Sequence, residues 1–258
     1  MNTSDNTALA DGLCDLAERA GAAILTIYDS DFEVRGKSDS SPVTDADEQA
    51  EQVILAGLAE LAPDVPVVAE ESVAAGHLPD ISGGRFFLVD PLDGTKEFIS
   101  RNGEFTVNIA LIENNRPTAG VVYLPARDET FWTAGDGTAW RRHKSAAAER
   151  IACRAAAADG LVVVASRSHR DQKTDDYLAD FAVKELISAG SSLKLCRVAE
   201  GAADMYPRLG RTMEWDIAAG HAVLAAAGGT VTTLDGTPLG YGKDGLDNPF
   251  FVARGLPG

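Results

Sequence analysis

Four consecutive large apolar residues, Phe86-Phe87-Leu88-Val89, run directly into Asp90-Pro91-Leu92-Asp93-Gly94-Thr95. A short apolar run of this kind reads as a buried strand. Pro91 has no N–H to give to a ladder, so the strand is expected to stop there. Gly94 then permits a tight turn. The end of this strand presents two carboxylates, the Leu92 carbonyl and the Thr95 hydroxyl together, an oxygen set suited to hard divalent cations. Two acids at a strand end are by themselves only an acidic loop, so the reading depends on what the rest of the chain adds.

Residues 9–28 carry Leu9, Leu13, Leu16, Ala20, Ile24 and Ile27 at helical spacing, with acids on the opposite face. Residues 34–41 are polar and contain glycine, as a loop does. Pro42 and Thr44 are expected to open a second helix, which Pro63 ends. Pro66-Val67-Val68-Ala69 reads as a short strand closing on Glu70-Glu71-Ser72. Residues 106–113 and 118–124 are apolar runs joined by Asn114-Asn115-Arg116-Pro117, a hairpin signal, and residues 129–134 suggest a further strand. Residues 141–159 are alanine-rich, charged and poorly patterned, and read as a connection between lobes. Beyond it, residues 161–165 suggest a strand and 174–189 a helix. Gly190-Ser191-Ser192 caps another helix, Met205-Tyr206-Pro207 reads as an edge strand, and 215–227 as a helix stopped by Gly228-Gly229. Residues 230–234 and 250–253 complete a second sheet. The expected organisation is an amino-terminal lobe, 1–140, of two helices and an antiparallel sheet, and a carboxy-terminal α/β lobe, 141–258.

With 258 residues the chain can bury a substantial core, and its 45% apolar content is that of an ordinary globular protein. The net charge of −16 disfavours a nucleic acid polymer or an anionic membrane as partner. A phosphate-bearing substrate would then need local cations or metal ions for its positive field. Cys14, Cys153 and Cys196 fit neither a disulfide framework nor a zinc spacing, and read as core fillers in a reducing cytosol. No apolar stretch of about 18 residues offers a membrane span, and the amino terminus carries no signal-peptide pattern. A cytoplasmic location follows; the sequence gives no support for a peripheral attachment at the inner membrane.

Three acidic clusters invite comparison: Glu70-Glu71, Asp90 with Asp93, and Asp216. The Glu70-Glu71 pair alone would be a solvated loop, and Asp216 alone an acid serving a helix dipole. Thr44 with Asp47 resembles a capping box, which would account for that pair without any chemistry.

Asp90-Pro91-Leu92-Asp93-Gly94-Thr95 taken with Trp215-Asp216-Ile217-Ala218-Ala219-Gly220 resembles the paired signature of the lithium-sensitive, magnesium-dependent phosphatases. That superfamily includes inositol monophosphatases and bisphosphate nucleotidases. Ser41-Pro42-Val43-Thr44, residues 96–110, Ser166-Arg167-Ser168-His169, Gly190-Ser191-Ser192-Leu193-Lys194 and residues 198–207 resemble the CysQ-type 3'(2'),5'-bisphosphate nucleotidase branch. The resemblance implies a layered α-β-α-β-α sandwich of the sugar-phosphatase kind. It implies two or three Mg²⁺ ions held by Glu70, Asp90, the Leu92 carbonyl, Asp93 and Asp216. It makes Asp47 and Thr95 the proton-handling pair. Substrate contacts would come from Glu70, Asp93, Gly94, Thr95, Lys96, Ser166, His169, Ser191, Lys194, Arg208 and Asp216, with Arg167 a further candidate. Arg208 stands where inositol-type members have a glutamate that receives a sugar hydroxyl, and an arginine there would prefer a second phosphate. The implied reaction is hydrolysis of adenosine 3',5'-bisphosphate to AMP and phosphate, clearing a by-product of sulfate activation. The rival readings are an inositol monophosphatase, a fructose-1,6-bisphosphatase, or an inactive cation or nucleotide sensor. A sensor would be expected to have lost Asp47, Thr95 or a metal carboxylate, and none is lost.

Overall fold

The structure, a computed structural model, describes residues 3–30, 35–36, 42–43, 45–167 and 171–257. Helix α1 (Thr3–Tyr28) is followed by two short paired strands, β1 (Arg35–Gly36) and β2 (Pro42–Val43), and by α2 (Asp45–Leu61). Pro42 thus lies in a strand rather than opening the helix. Next come β3 (Val67–Ala69), α3 (Glu70–Ala74), β4 (Arg85–Asp93), α4 (Thr95–Ile99), β5 (Thr106–Glu113), β6 (Arg116–Leu124), β7 (Glu129–Thr133), β8 (Ala139–His143) and β9 (Glu149–Ile151). Strands β3 to β9 form one seven-stranded sheet in sequence order. The second half contributes β10 (Leu161–Ser166), α5 (Gln172–Leu178), β11 (Val183–Ala189), α6 (Leu193–Ala199), β12 (Met205–Arg208), α7 (Glu214–Ala226), β13 (Thr230–Thr233) and β14 (Phe251–Arg254). These strands form a five-stranded sheet in the order β11-β10-β12-β14-β13.

Side-chain alternation along the strands explains the layering. On β4, Phe87 and Val89 face α1 and α2, where Leu13, Ala17, Ile24, Ala50, Ile54 and Leu58 make the buried stripe. Phe86 and Leu88 face the other way, onto α6, α7 and the inner face of the second sheet, where Leu195, Ala218, Val223, Tyr206 and Phe251 complete one core. The outer face of the second sheet packs Val163, Met205 and Val252 against Leu178 of α5. The order of layers is therefore α-β-α-β-α. Helix α7 is buried on nearly every side because it lies between two sheets. Its small residues let the backbones close in: a Cβ on Gly120 of β6 would sit 3.1 Å from the Ala219 Cα.

Three sequence expectations are corrected. Residues 141–159 are not a featureless connection, since β8 and β9 extend the first sheet. Trp140 stacks on its cross-strand partner Trp132 at 6.4 Å, and Arg142 and Arg150 lie over the two rings. Cation–aromatic pairs there stand in for the apolar alternation that a sequence search expects. Residues 183–189 form β11, parallel to β10, rather than the end of a helix. This edge strand is exposed along most of its length, so its residues carry no burial period. Finally, β12 is an interior strand. It tolerates Pro207 because its pairing with β10 is confined to Val163 and Met205.

Candidate active site

The acidic stretch owes its geometry to a bulge. Strand β4 continues through Pro91 to Asp93, contrary to the expected stop, and its register on β5 slips on the way. Asp90 lies opposite Asn108 and Asp93 opposite Thr106. Three residue steps on β4 thus match two on β5. In a regular strand, side chains three apart point to opposite faces. The extra residue puts Asp90 and Asp93 on the same face, which is what a shared site requires. The Leu92 N–H turns back to Asp90 Oδ1 at 3.1 Å and fixes the turn.

Gly94 follows at φ +95, a left-handed conformation unfavourable to any residue with a Cβ. A Cβ here would also meet Ser191 Oγ at 2.1 Å. The space is needed because Ser191 Oγ donates to the Asp93 carbonyl at 2.8 Å. Lys194 Nζ donates to the Ser191 carbonyl at 2.6 Å, and Ser192 Oγ donates to the Asp216 carbonyl. Residues 190–194, from the second half of the chain, are thereby fastened to the acidic loops. Asp216 lies in the first turn of α7, where its Oδ2 accepts the Met213 N–H at 2.9 Å. It therefore serves the helix end as well as facing the other acids.

Glu70 opens α3 directly after β3, and a buried acid from another helix holds that opening. Glu51 of α2 accepts the Glu71 N–H at 2.8 Å through one oxygen. Its other oxygen accepts the Ser72 N–H at 2.8 Å and the Ser72 hydroxyl at 2.6 Å. Sequence reasoning missed Glu51. The available signal was its position one helical turn beyond Asp47, which puts a second acid on the buried stripe of α2. Thr44, the other half of the suspected capping box, lies outside the described residues.

Asp47, Glu70, Asp90, Asp93 and Asp216 act on one another's charge. Burial pushes the Glu70 carboxyl up, and Asp216, Asp47, Glu71 and Asp93 push it further. Asp90 is raised by burial and then by Glu70, Asp93, Asp216 and Asp47. Asp216 is raised by burial and Asp93, against the pull of the Met213 N–H, Arg208 and Lys194. Asp93 is raised by burial, while Lys194 is its main opposing influence. Among the described residues no three of these groups close into a finished cage around one point. The donor set nonetheless fits a hard divalent cation: every group is an oxygen acid, and nearby positive charge would relieve each of them. Polar side chains behind the acids fit the same reading. The Thr106 hydroxyl and both amide atoms of Asn108 are buried without a hydrogen-bond partner. An unmet buried polar group costs about 1–3 kcal/mol.

Above the acids opens a cleft of about 480 Å³, lined by Asp93, Gly94, Thr95, Lys96, Ser166, Ser191, Lys194, Arg208 and Asp216 among others. Asp47, Glu70, Asp90 and Leu92 are not part of its lining. Asp47, Asp90 and Leu92 are buried, and Glu70 is half-buried. The lining mixes acids with cations. Lys194 is buried over the Tyr206 ring, and its pKa is pulled down to about 8, chiefly by desolvation. Arg208 donates through Nη2 to the Arg211 carbonyl at 3.0 Å, while its Nε is buried and unpartnered. Arg167, expected to help with substrate, turns instead to Glu104. That carboxylate also accepts from Arg127 and from the Gly190 N–H at 2.8 Å. Glu104 thus ties the first sheet to the 190–194 loop, a role that the sequence did not signal. His169 lies outside the described residues.

A five-layer sandwich with its acids gathered at a bulged strand end defines a class. The chain belongs to the inositol monophosphatase family, whose model matches residues 5–253. Within it, the chain is 47% identical over 246 residues to the 3'(2'),5'-bisphosphate nucleotidase CysQ of Escherichia coli (strain K12), covering 94% of this chain and 98% of that protein. The crystal structure of CysQ from Bacteroides thetaiotaomicron superposes with a TM-score of 0.81 at 40% identity, covering 95% of this chain and 96% of that one. An inositol monophosphatase from Anabaena (Nostoc) sp. PCC 7120 is also similar, with a TM-score of 0.71 at 27% identity, covering 95% of this chain and 89% of that one.

Proposed function

We propose that this chain is a Mg²⁺-dependent phosphomonoesterase that hydrolyses adenosine 3',5'-bisphosphate to AMP and phosphate. The observation that carries the reading is the make-up of the cleft, which brings the acids Asp93 and Asp216 together with Lys194 and Arg208. Glu70, Asp90, the Leu92 carbonyl, Asp93 and Asp216 would hold two or three ions. When bound, Mg²⁺ supplies positive charge that offsets the charge of the phosphoryl oxygens and acidifies the attacking water. Gly94, Thr95 and Lys96 would hold the scissile phosphate. The Thr95 hydroxyl and the Asp47 carboxylate would take up the proton released as water attacks. A ground-state phosphate dianion next to Asp93, Glu97 and Asp216 would be repelled, so the cations of the lining have their own task. Lys194 and the Arg208 guanidinium would receive the second phosphate and orient the ester for in-line displacement. Ser166, Ser191 and His169 would contact the nucleoside. On this reading 1–140 carries most of the attack chemistry, and 141–258 adds Asp216 and the recognition groups, as one functional unit. The role would be cytoplasmic clearance of a by-product of sulfate activation; the three free, buried cysteines are compatible with a reducing compartment. Among the described residues no helix is long and apolar enough to cross a membrane.

A phosphate-release panel with Mg²⁺ tests the proposal. Adenosine 3',5'-bisphosphate should be turned over faster than inositol 1-phosphate or fructose 1,6-bisphosphate. Arg208→Glu should lower kcat/KM for the bisphosphate nucleotide by roughly 100-fold or more, as loss of a charge-assisted pair and reversal of its sign require. It should affect inositol 1-phosphate far less. Faster hydrolysis of inositol 1-phosphate by the wild-type chain would refute the substrate assignment.

A further inference from the structure

The two central strands change from apolar to polar at the same level. Reading toward the cleft along one face, β4 presents Phe86, Leu88, Asp90 and then, past the bulge, Asp93. The matching row on β5 is Ile112, Ala110, Asn108 and Thr106, and these pair with the β4 residues one for one. The acids of β4 therefore each face a neutral polar side chain across the ladder. Directly opposed side chains in an antiparallel pair are in contact range.

Among the described residues neither neutral group has a hydrogen-bond partner. Asn108 and Thr106 are fully buried, at 1% and 0% exposure, yet both Asn108 amide atoms and the Thr106 hydroxyl lack hydrogen bonds. On its other side Asn108 pairs with Val122 of β6, which has nothing to offer it. A polar residue kept for register or packing would bond to its surroundings. The polar neighbours that the ladder offers are Asp90 and Asp93, and Asp90 Oδ1 is already turned to the Leu92 N–H. An Asn amide and a Thr hydroxyl are donors suited to a carboxylate's remaining lone pairs.

We propose that Asn108 and Thr106 are positioning residues of the cation site. Their donors are held for the outer oxygens of the Asp90 and Asp93 carboxylates, and these bonds form when a divalent cation draws the carboxylates into place. The proposal rests on the cation-binding reading given above and adds the residues that orient its ligands from behind. Ligand-orienting partners of this kind typically contribute 10–100-fold to metal affinity.

The test is Mg²⁺ binding by calorimetry on the full chain without substrate, with melting in EDTA measured alongside. Asn108→Leu and Thr106→Val keep the shape and remove the polar atoms. Both should weaken Mg²⁺ binding, by roughly 10–100-fold and about 10-fold respectively. Neither should melt below wild type in EDTA, because an unmet polar group replaced by an apolar isostere costs the fold nothing. Thr106→Ser keeps the hydroxyl and should keep wild-type affinity. Wild-type Mg²⁺ affinity in both isosteric variants would overturn the proposal. So would a melting temperature several degrees below wild type in EDTA, which would mean that the groups already serve the fold. Failure of Asn108→Leu to fold would count against Asn108 in the same way, and Thr106→Val would then decide for Thr106. Absence of Mg²⁺ binding by the wild-type chain would sink the cation site itself, and is distinguishable from either failure.

Discussion

Replacing Glu51 with Gln isolates the support beneath Glu70. In the native chain one Glu51 oxygen takes the Glu71 N–H and the other takes both donors of Ser72. A glutamine has only one acceptor oxygen. Placed on Ser72, it keeps two bonds but turns its amide NH₂ toward the Glu71 N–H. That strands one half-buried donor, at about 1–3 kcal/mol, and downgrades two charge-assisted bonds to neutral ones, at roughly another 1 kcal/mol. The sum is about 2–4 kcal/mol. For a chain of 258 residues each 1 kcal/mol lowers the melting temperature by about 2–4 °C, so the drop should be roughly 4–16 °C. Calorimetric melting in EDTA reads this directly, and Mg²⁺ titration of the folded variant should show weaker binding because the start of α3 carries Glu70. A Glu51→Gln variant that melts within about 1 °C of wild type would refute the argument, since the three bonds would then contribute nothing net.

Two further perturbations probe other parts. His221 is buried against the Tyr241 hydroxyl at 2.8 Å, and desolvation pulls its pKa down from 6.5 to about 4. Its neutral form is the native one, so the unfolded chain binds the extra proton between pH 6.5 and 4, and stability must fall as pH drops through that window. At pH 5 the penalty is about 2 kcal/mol; His221→Gln, which cannot be protonated there, should lose that part of the acid sensitivity in melting curves. Gly94→Ala should lower kcat/KM by roughly 100-fold, because its Cβ displaces the Ser191 hydroxyl from the Asp93 carbonyl and shifts the acidic loop. Retention of more than about half the wild-type rate would show that this contact is not needed.

The sequence revealed the site more readily than the sheet edges, for physical reasons. The Phe86–Val89 run and the Asn114-Asn115 turn announced themselves, the latter now seen with both residues at positive φ as a two-residue hairpin demands. Glu70, Asp90, Asp93 and Asp216 stood out because they sit near the ends or starts of predicted elements and because two of their motifs together resemble a family signature. Pro91 misled, because a bulge can carry a strand past a residue that cannot donate, and a bulge is a matter of register with the neighbouring chain. Strands β8, β9 and β11 were hidden because their partners are cations, indoles and solvent, whereas pattern reading presumes an apolar face. Glu104, Asn108 and Thr106 matter through residues distant in sequence, so nothing local distinguished them from solvent-facing or turn-forming side chains; Glu51 offered only its helical spacing from Asp47.

The bond from Ser191 to the Asp93 carbonyl, with those from Lys194 and Ser192 beside it, ties grip and cutting edge to one short hinge of chain. A mutation that reshapes the grip for a different ester also tugs on the blade. Adaptation to a new substrate should therefore begin on the outer rim, at Arg208 and Arg211, where a side chain can change without pulling that hinge. Variants that alter residues 190–194 first should pass through poor catalysts before any gain in selectivity is visible.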